Sequence, residues 1–190
     1  MPTNSIIRVE TPNATTLHPR ERMNTRRIPG YVPFVVDNLW AWTLPDGFPD
    51  RRHSTFASPR AELIEVSGTP YLVHIAGNLN HCIAQIEEND ARFHPDCKAL
   101  PKLLFKLLGT DWVNSDKAAK VPAGQLWMPC LSKDEVEAVF RESALAPHRD
   151  EVFAAVTYWK NARLVSLDGD LPYPNGEIFF EADSWHLSEL

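Results

Sequence analysis

The chain carries, at residues 51–59, the stretch RRHSTFASP, in which a basic and hydroxyl-rich run leads directly into a helix-start signal. Ser54–Ala57 has the composition of a short strand. Ser58 followed by Pro59 is typical of a helix N-cap and its first helical residue, which predicts a helix over Pro59–Val66. The stretch therefore predicts a strand that passes directly into a helix.

Short strands and helices of uneven length flank this stretch on both sides. The other predicted strands are Tyr31–Val36, Pro70–Ala76, Leu164–Leu167 and Glu177–Ala182. The other predicted helices are a short one capped by Asp37 and Asn38, one over Leu100–Leu108, one that runs from a capping box at Ser132 to Glu142, and one over Arg149–Asn161. Strands and helices do not alternate regularly, which favours an α+β fold whose short, scattered strands form split sheets.

The first 28 residues differ in composition from the rest of the chain. Residues 1–28 are rich in Arg, Thr, Asn and Pro and poor in apolar side chains, which predicts an extended or disordered basic arm. Residues 29–190 have the length and apolar content of a single α+β domain.

Composition narrows the classes of function. A net charge of −6 argues against a dedicated nucleic-acid binder, so we expect a protein rather than a nucleic acid as macromolecular partner. Three irregularly spaced cysteines indicate reduced thiols. No secretory signal and no long apolar stretch are present, so we predict a cytoplasmic protein without membrane insertion, although export without a signal would leave the same pattern.

The stretch at 51–59 has the chemistry of an anion-binding site. Arg51 and Arg52 can bind phosphate through bidentate hydrogen bonds, and the hydroxyls of Ser54 and Thr55 can position an amide or a ribose. The predicted helix start would add free backbone N–H groups. Together these features suit the pyrophosphate of a dinucleotide; the alternative is a solvated basic turn before an ordinary capped helix.

A second candidate element lies near the end of the chain. Glu177 precedes the apolar residues Ile178, Phe179 and Phe180. Glu181 lies four residues after Glu177, so on a regular strand the two carboxylates share one face. That face would either line a pocket or be an ordinary solvated surface.

The order of these elements resembles the ADP-ribosyltransferase fold, whose site combines an Arg or His on a first strand, a Ser-Thr-Ser or Tyr element on a second and a Glu on a later one. Ser54–Ser58 is similar to the second element, although Phe56 stands where some members have a serine or a tyrosine. Glu177–Phe180 is similar to the third element. Arg27 or Arg26, which precede Tyr31–Val36, would be the first-strand residue.

The resemblance implies that NAD is the substrate and that ADP-ribose passes to a macromolecular acceptor as nicotinamide leaves, an activity found in toxins and effectors. It implies that Glu177, Ser54 and Arg27 are catalytic. Glu177 would hydrogen-bond the ribose 2′-OH or orient the acceptor. The implied cofactor-binding residues are Arg26, Arg51, Arg52, His53, Thr55 and Phe56.

Other chemistry in the chain has weaker signals. Five potential metal ligands lie close together in sequence without a complete zinc pattern, so we expect no metal site. These residues are His74, His81, Cys82, His94 and Cys97. Cys130 also carries no mark of a catalytic nucleophile. The alternative to an enzyme is a non-catalytic interaction module, such as an immunity or antitoxin protein or an adaptor, favoured by the acidic balance and the aromatic residues.

Overall fold

The computed structural model describes residues 5–10, 29–64, 67–76, 82–109, 122–166, 169–182 and 184–190. Within them, helices and antiparallel strands occur together, which confirms the α+β class. The chain divides into two compact units. The sheet unit comprises residues 1–27, 46–91 and 161–190, and the helical unit comprises residues 28–45 and 92–160.

The sheet unit contains two antiparallel sheets. Its strands are β1 (Ile7–Glu10), β2 (Thr55–Ala57), β3 (Thr69–Ala76), β4 (Cys82–Gln85), β5 (Arg163–Val165), β6 (Ile178–Glu181) and β7 (Ser184–Glu189). The three-stranded sheet has the order β1-β3-β7, and the four-stranded sheet has the order β2-β6-β4-β5. The two sheets are joined where the backbones of Ile7 and Ser58 exchange hydrogen bonds of 2.7 and 2.8 Å.

Apolar side chains from both sheets share one core. The buried members of this core are Ala57, Val73, Ile83, Ile178, Phe180 and Ala182. Successive residues of a strand point to opposite faces, so Val73 and its partner Leu187 face the core, whereas the neighbouring pair His74 and His186 faces outward. Both short sheets are therefore stabilised mainly by this shared apolar layer rather than by strand length.

The helical unit is built around buried aromatic side chains. Its helices are α1 (Phe34–Trp42), α2 (Asp96–Leu108), α3 (Lys133–Glu142) and α4 (Arg149–Ala155), followed by the short α5 (Tyr158–Asn161), whose last residue falls in the sheet unit. Shorter 3₁₀ segments cover Pro122–Trp127 and Ala146–His148 in this unit, Ala61–Leu63 in the sheet unit, and Ala91–Phe93, whose first residue falls in the sheet unit. Trp40 stacks on Tyr158 with ring centroids 4.1 Å apart. The predicted capping box at Ser132 and the left-handed Gly109 that ends α2 are both present.

Two predictions of local structure near the chain's first half are wrong. Tyr31–Val36 does not form a strand, because Val35, Val36 and Leu39 are buried on α1, and this burial outweighs the strand preference of valine. Asp37 and Asn38 consequently lie inside α1 rather than capping it.

The predicted helix over Pro59–Val66 is also wrong. Only the 3₁₀ turn Ala61–Leu63 forms, and residues 65 and 66 lie outside the described residues. The backbone of Ser58 is held extended by its pairing with Ile7. The Ser58 hydroxyl accepts a hydrogen bond from Arg60 N at 3.3 Å, so it stabilises a local turn rather than capping a helix. The helix N-terminus expected to bind an anion is therefore absent from this segment.

The predicted helix over Arg149–Asn161 is interrupted after Ala155. The carboxylate of Asp96 accepts hydrogen bonds from the backbone N–H groups of Thr157 (3.0 Å) and Tyr158 (3.1 Å). Val156 adopts an extended conformation at the break. A buried acceptor elsewhere in the chain thus ends α4 and begins α5, an effect that local sequence does not encode.

Candidate active site

Strand pairing brings together the two sequence elements that the resemblance linked. β2 and β6 are antiparallel neighbours, with Thr55 opposite Phe180, Phe56 opposite Phe179 and Ala57 opposite Ile178. Residues that are more than 120 positions apart in sequence therefore share one edge of the four-stranded sheet. The segment before β2 and the segment before β6 lie at opposite ends of the two strands, so any contact between them depends on the long side chains of the loops.

Arg51 makes that contact with Glu177. Its Nη1 donates to Glu177 Oε1 at 2.6 Å, and the two side chains are only 12% and 13% exposed. The guanidinium also lies over the rings of Phe56 and Phe179, at 4.7 and 5.1 Å from their centroids. The result is a largely buried ion pair on an aromatic floor, a geometry in which charge interactions are screened less than at an open surface.

The backbone around Glu177 is held by β4 and the loop that follows it. Glu177 N donates to Glu88 O at 2.7 Å, and Glu177 O accepts from Ile86 N at 3.1 Å. The second carboxylate oxygen, Oε2, accepts a long hydrogen bond of 3.4 Å from Ala91 N. Glu177 is consequently fixed at both its backbone and its side chain before any ligand is present.

A second group of ionisable side chains surrounds Asp50, at the other end of β6 from Glu177. Glu181 Oε1 accepts from Asp50 N at 2.5 Å, and His53 Nδ1 lies 3.8 Å from Asp50 Oδ2. Burial raises the pKa of the Glu181 carboxyl, and the Asp50 carboxylate raises it further, although the backbone hydrogen bond and His53 act in the opposite direction. Burial, followed by the charge of Glu181, also raises the pKa of the Cys82 thiol.

Not all predicted site residues are accessible. Ser54 is fully buried, and its hydroxyl donates to the carbonyl of Asp50 at 2.7 Å. Thr55 and Arg52 are also buried, and the backbone N–H of Arg52 donates to Asp50 Oδ1 at 2.8 Å. His53 and Phe56 are half-buried. The hydroxyl-bearing residues Ser54 and Thr55 therefore lie in the interior. The residues closer to solvent are Arg51, Phe56, Glu177 and Glu181.

The predicted first-strand residues, Arg26 and Arg27, lie outside the described residues. The structure instead places Arg8 on β1, where its Nη1 donates to Phe56 O at 2.9 Å and its Nε pairs with Glu10. Sequence reasoning missed Arg8 because it lay in the predicted basic arm; the alternation of Ile7, Arg8 and Val9 was the signal available. Asp50 was missed too, although it directly precedes the basic run.

The comparisons with known proteins add no family to this geometry. No protein-family model matches the chain, and neither curated proteins nor solved structures give a significant match. Across the described ranges, none of the helices is long and apolar enough to span a membrane. No cluster of three or more His, Cys, Asp or Glu side chains suited to a metal ion occurs in the part of the chain that the structure describes.

Proposed function

We propose that the sheet unit is an NAD-dependent ADP-ribosyltransferase with the corresponding split-sheet fold, acting on a macromolecular acceptor, preferably a protein, as a cytoplasmic toxin or effector does. The observation that carries this proposal is the ion pair of Arg51 with Glu177, which joins the basic run directly before the second sequence element to the glutamate of the third at 2.6 Å. Arg8 supports it, because an arginine on the first strand contacts β2 through the carbonyl of Phe56.

The proposed chemistry breaks the bond between the nicotinamide nitrogen and C1′ of the ribose. The bonding electrons leave with nicotinamide, and a nucleophile of the acceptor forms the new bond to C1′ while losing its proton. A carboxylate next to the ribose stabilises the positive charge that develops in the transition state. Glu177 fills this role, because its backbone and carboxylate are already fixed by β4 and Arg51.

The other side chains of the proposed site would bind the substrate. Phe56, which is half-buried, offers aromatic surface for the nicotinamide ring, whereas Phe179 is fully buried beneath Arg51. Arg8 and Arg51 supply guanidinium groups for the pyrophosphate, and a phosphate that binds Arg51 competes with Glu177 and frees its carboxylate.

Release of nicotinamide from NAD tests the proposal. Glu177→Gln removes the charge and keeps the side-chain volume, so we expect release to fall about 10²- to 10³-fold, the usual cost of losing one transition-state stabiliser. Glu62→Gln is the matched control, because Glu62 is an exposed glutamate of the same unit. Circular dichroism and thermal unfolding of each variant separate loss of chemistry from loss of fold.

A second candidate function is a non-catalytic interaction module. The helical unit exposes Tyr31 (78%) and Phe93 (55%), and the guanidinium of Arg92 lies 5.4 and 4.6 Å from their ring centroids. Aromatic and arginine side chains of this kind are enriched in protein interfaces. Folded protein that neither releases nicotinamide nor labels proteins of a lysate with ADP-ribose, but forms a stoichiometric complex lost in Tyr31→Ala, would establish this function instead.

A further inference from the structure

Two histidines face each other on the outer surface of the three-stranded sheet. His74 of β3 is the direct cross-strand partner of His186 of β7. Their rings stack nearly parallel, at 15°, with centroids 4.9 Å apart, and both side chains are exposed. The core-facing neighbours Val73 and Leu187 point the other way, so the imidazoles do not contribute to the apolar core.

The contacts of the two rings leave nitrogens available. His74 Nε2 lies 2.7 Å from the hydroxyl of Ser188. The ring nitrogens of His186 make no hydrogen bond to any residue that the structure describes. In the tautomer in which His74 Nε2–H donates to Ser188, His74 Nδ1 is an unprotonated acceptor. The pair therefore offers lone pairs from two imidazoles on one small area of surface.

A structural role explains this arrangement poorly. Exposed rings bury little apolar area, and two imidazolium ions directly opposite each other on a sheet would repel. Neutral imidazole nitrogens, in contrast, are common ligands of zinc, nickel and copper ions. A bound ion requires nitrogens about 2.0–2.1 Å from the metal, and so about 3 Å from each other. The two ring centroids are 4.9 Å apart and both side chains are exposed, so core packing does not fix the rings at their present spacing.

We propose that His74 and His186 form a two-imidazole site for a divalent transition-metal ion, with water in the remaining coordination positions. Ser188 acts as a positioning residue, because a ligating histidine is commonly oriented by a hydrogen bond from its other ring nitrogen. The site lies on the outer face of the three-stranded sheet and uses no residue of the candidate active site. The metal site can therefore be tested separately from the proposed NAD chemistry.

Titration of the untagged, full-length protein with Ni²⁺ and Zn²⁺ by isothermal calorimetry tests the site, with Mg²⁺ as the hard cation that imidazole does not favour. We expect one ion per chain and a loss of affinity of at least tenfold in His186→Ala. His186→Ala is preferred to His74→Ala because it breaks no hydrogen bond to Ser188. His148, a half-buried histidine beside Glu151, provides the matched control, and His148→Ala should bind as the wild type does.

A second measurement guards against misfolding and against the other histidines. Metal should raise the melting temperature of the wild type and of His148→Ala but not of His186→Ala, because ligands that bind only the native state stabilise it. The metal-free melting temperatures of the three proteins should agree. Ni²⁺ affinities of wild type and His186→Ala within twofold of each other, or no binding to the wild type, would overturn the proposal.

Discussion

The ion pair between Arg51 and Glu177 should couple these residues by about 2 kcal/mol in a double-mutant cycle. Unit charges about 4 Å apart attract by about 4 kcal/mol at an effective dielectric constant of about 20. The side chains retain 12% and 13% of their exposure, and screening through that opening removes roughly half of the attraction. Exposed ion pairs, in comparison, couple by about 0.2–1 kcal/mol.

Arg51→Met and Glu177→Gln each remove one charge and keep most of the side-chain volume. Each single variant leaves the other charge unpaired in a largely buried position, so each should lose about 2–3 kcal/mol of unfolding free energy. The double variant removes both charges and so leaves no unpaired charge. It should therefore lose only about 3 kcal/mol, part of which is the contact of Arg51 with the rings of Phe56 and Phe179.

Urea unfolding of the wild type, both single variants and the double variant, followed by far-ultraviolet circular dichroism, measures the coupling energy. The pair Arg141 and Glu142 is the control, because its nitrogen and oxygen are 3.1 Å apart while its side chains are 69% and 65% exposed. Its coupling should fall below about 0.5 kcal/mol. A coupling between Arg51 and Glu177 as small as that of the control pair would refute the reasoning that burial strengthens this contact.

Three further changes test other parts of the molecule. Because burial raises the pKa of Glu181, the native protein binds more protons than the unfolded chain. The contribution of Glu181 to the unfolding free energy is therefore fully present below its unfolded pKa and is lost as the pH rises through its folded pKa. The stability of Glu181→Gln relative to wild type should therefore increase as the pH is raised from 4 to 8. A difference in unfolding free energy between the two proteins that is equal at both pH values in urea unfolding contradicts this. Gly176→Ala should cost about 1–3 kcal/mol in the same assay, because a Cβ there would stand 1.8 Å from a backbone oxygen, whereas Gly30→Ala meets no atom within 4 Å and should change little. Asp96→Asn should lower stability by about 2–4 kcal/mol and alter near-ultraviolet circular dichroism, because it replaces a buried acceptor of the Trp40 indole N–H; a wild-type urea midpoint in this variant would show that the carboxylate is dispensable.

Signals carried by neighbouring residues were sufficient for part of the fold. The strand Pro70–Ala76 was predicted from a local apolar run and occurs as Thr69–Ala76, and the strand at Ser54–Ala57 occurs as Thr55–Ala57. The Ser132 capping box is local as well, since both of its hydrogen bonds join residues three apart. In each case the residues that determine the element lie within the element or next to it.

The wrong predictions involve partners that are distant in sequence. Ser58 has the sequence of a helix cap, but its backbone pairs with Ile7, which holds it extended. The break before Tyr158 depends on Asp96, 62 residues earlier. For the same reason, the closeness of Arg51 to Glu177 could be suggested only by a resemblance, because no pattern within either segment specifies a partner 126 residues away.

The preorganisation of the candidate site comes from the turn before β6 rather than from the hydroxyls of Ser54 and Thr55. The side-chain amide of Gln85 donates to Tyr173 O at 2.7 Å and to Gly176 O at 3.0 Å, and it accepts from Tyr173 N at 3.0 Å. Gly176 lies so close to the carbonyl of Ile86, the residue after β4, that only glycine fits. This clamp sets the position of Glu177, whereas the hydroxyl of Ser54 is already satisfied by a backbone carbonyl. In the proposed function, NAD would therefore meet a fixed carboxylate, Glu177, and an arginine, Arg51, that its phosphates would displace, so the proposal assigns recognition of the dinucleotide to this pair rather than to Ser54 and Thr55.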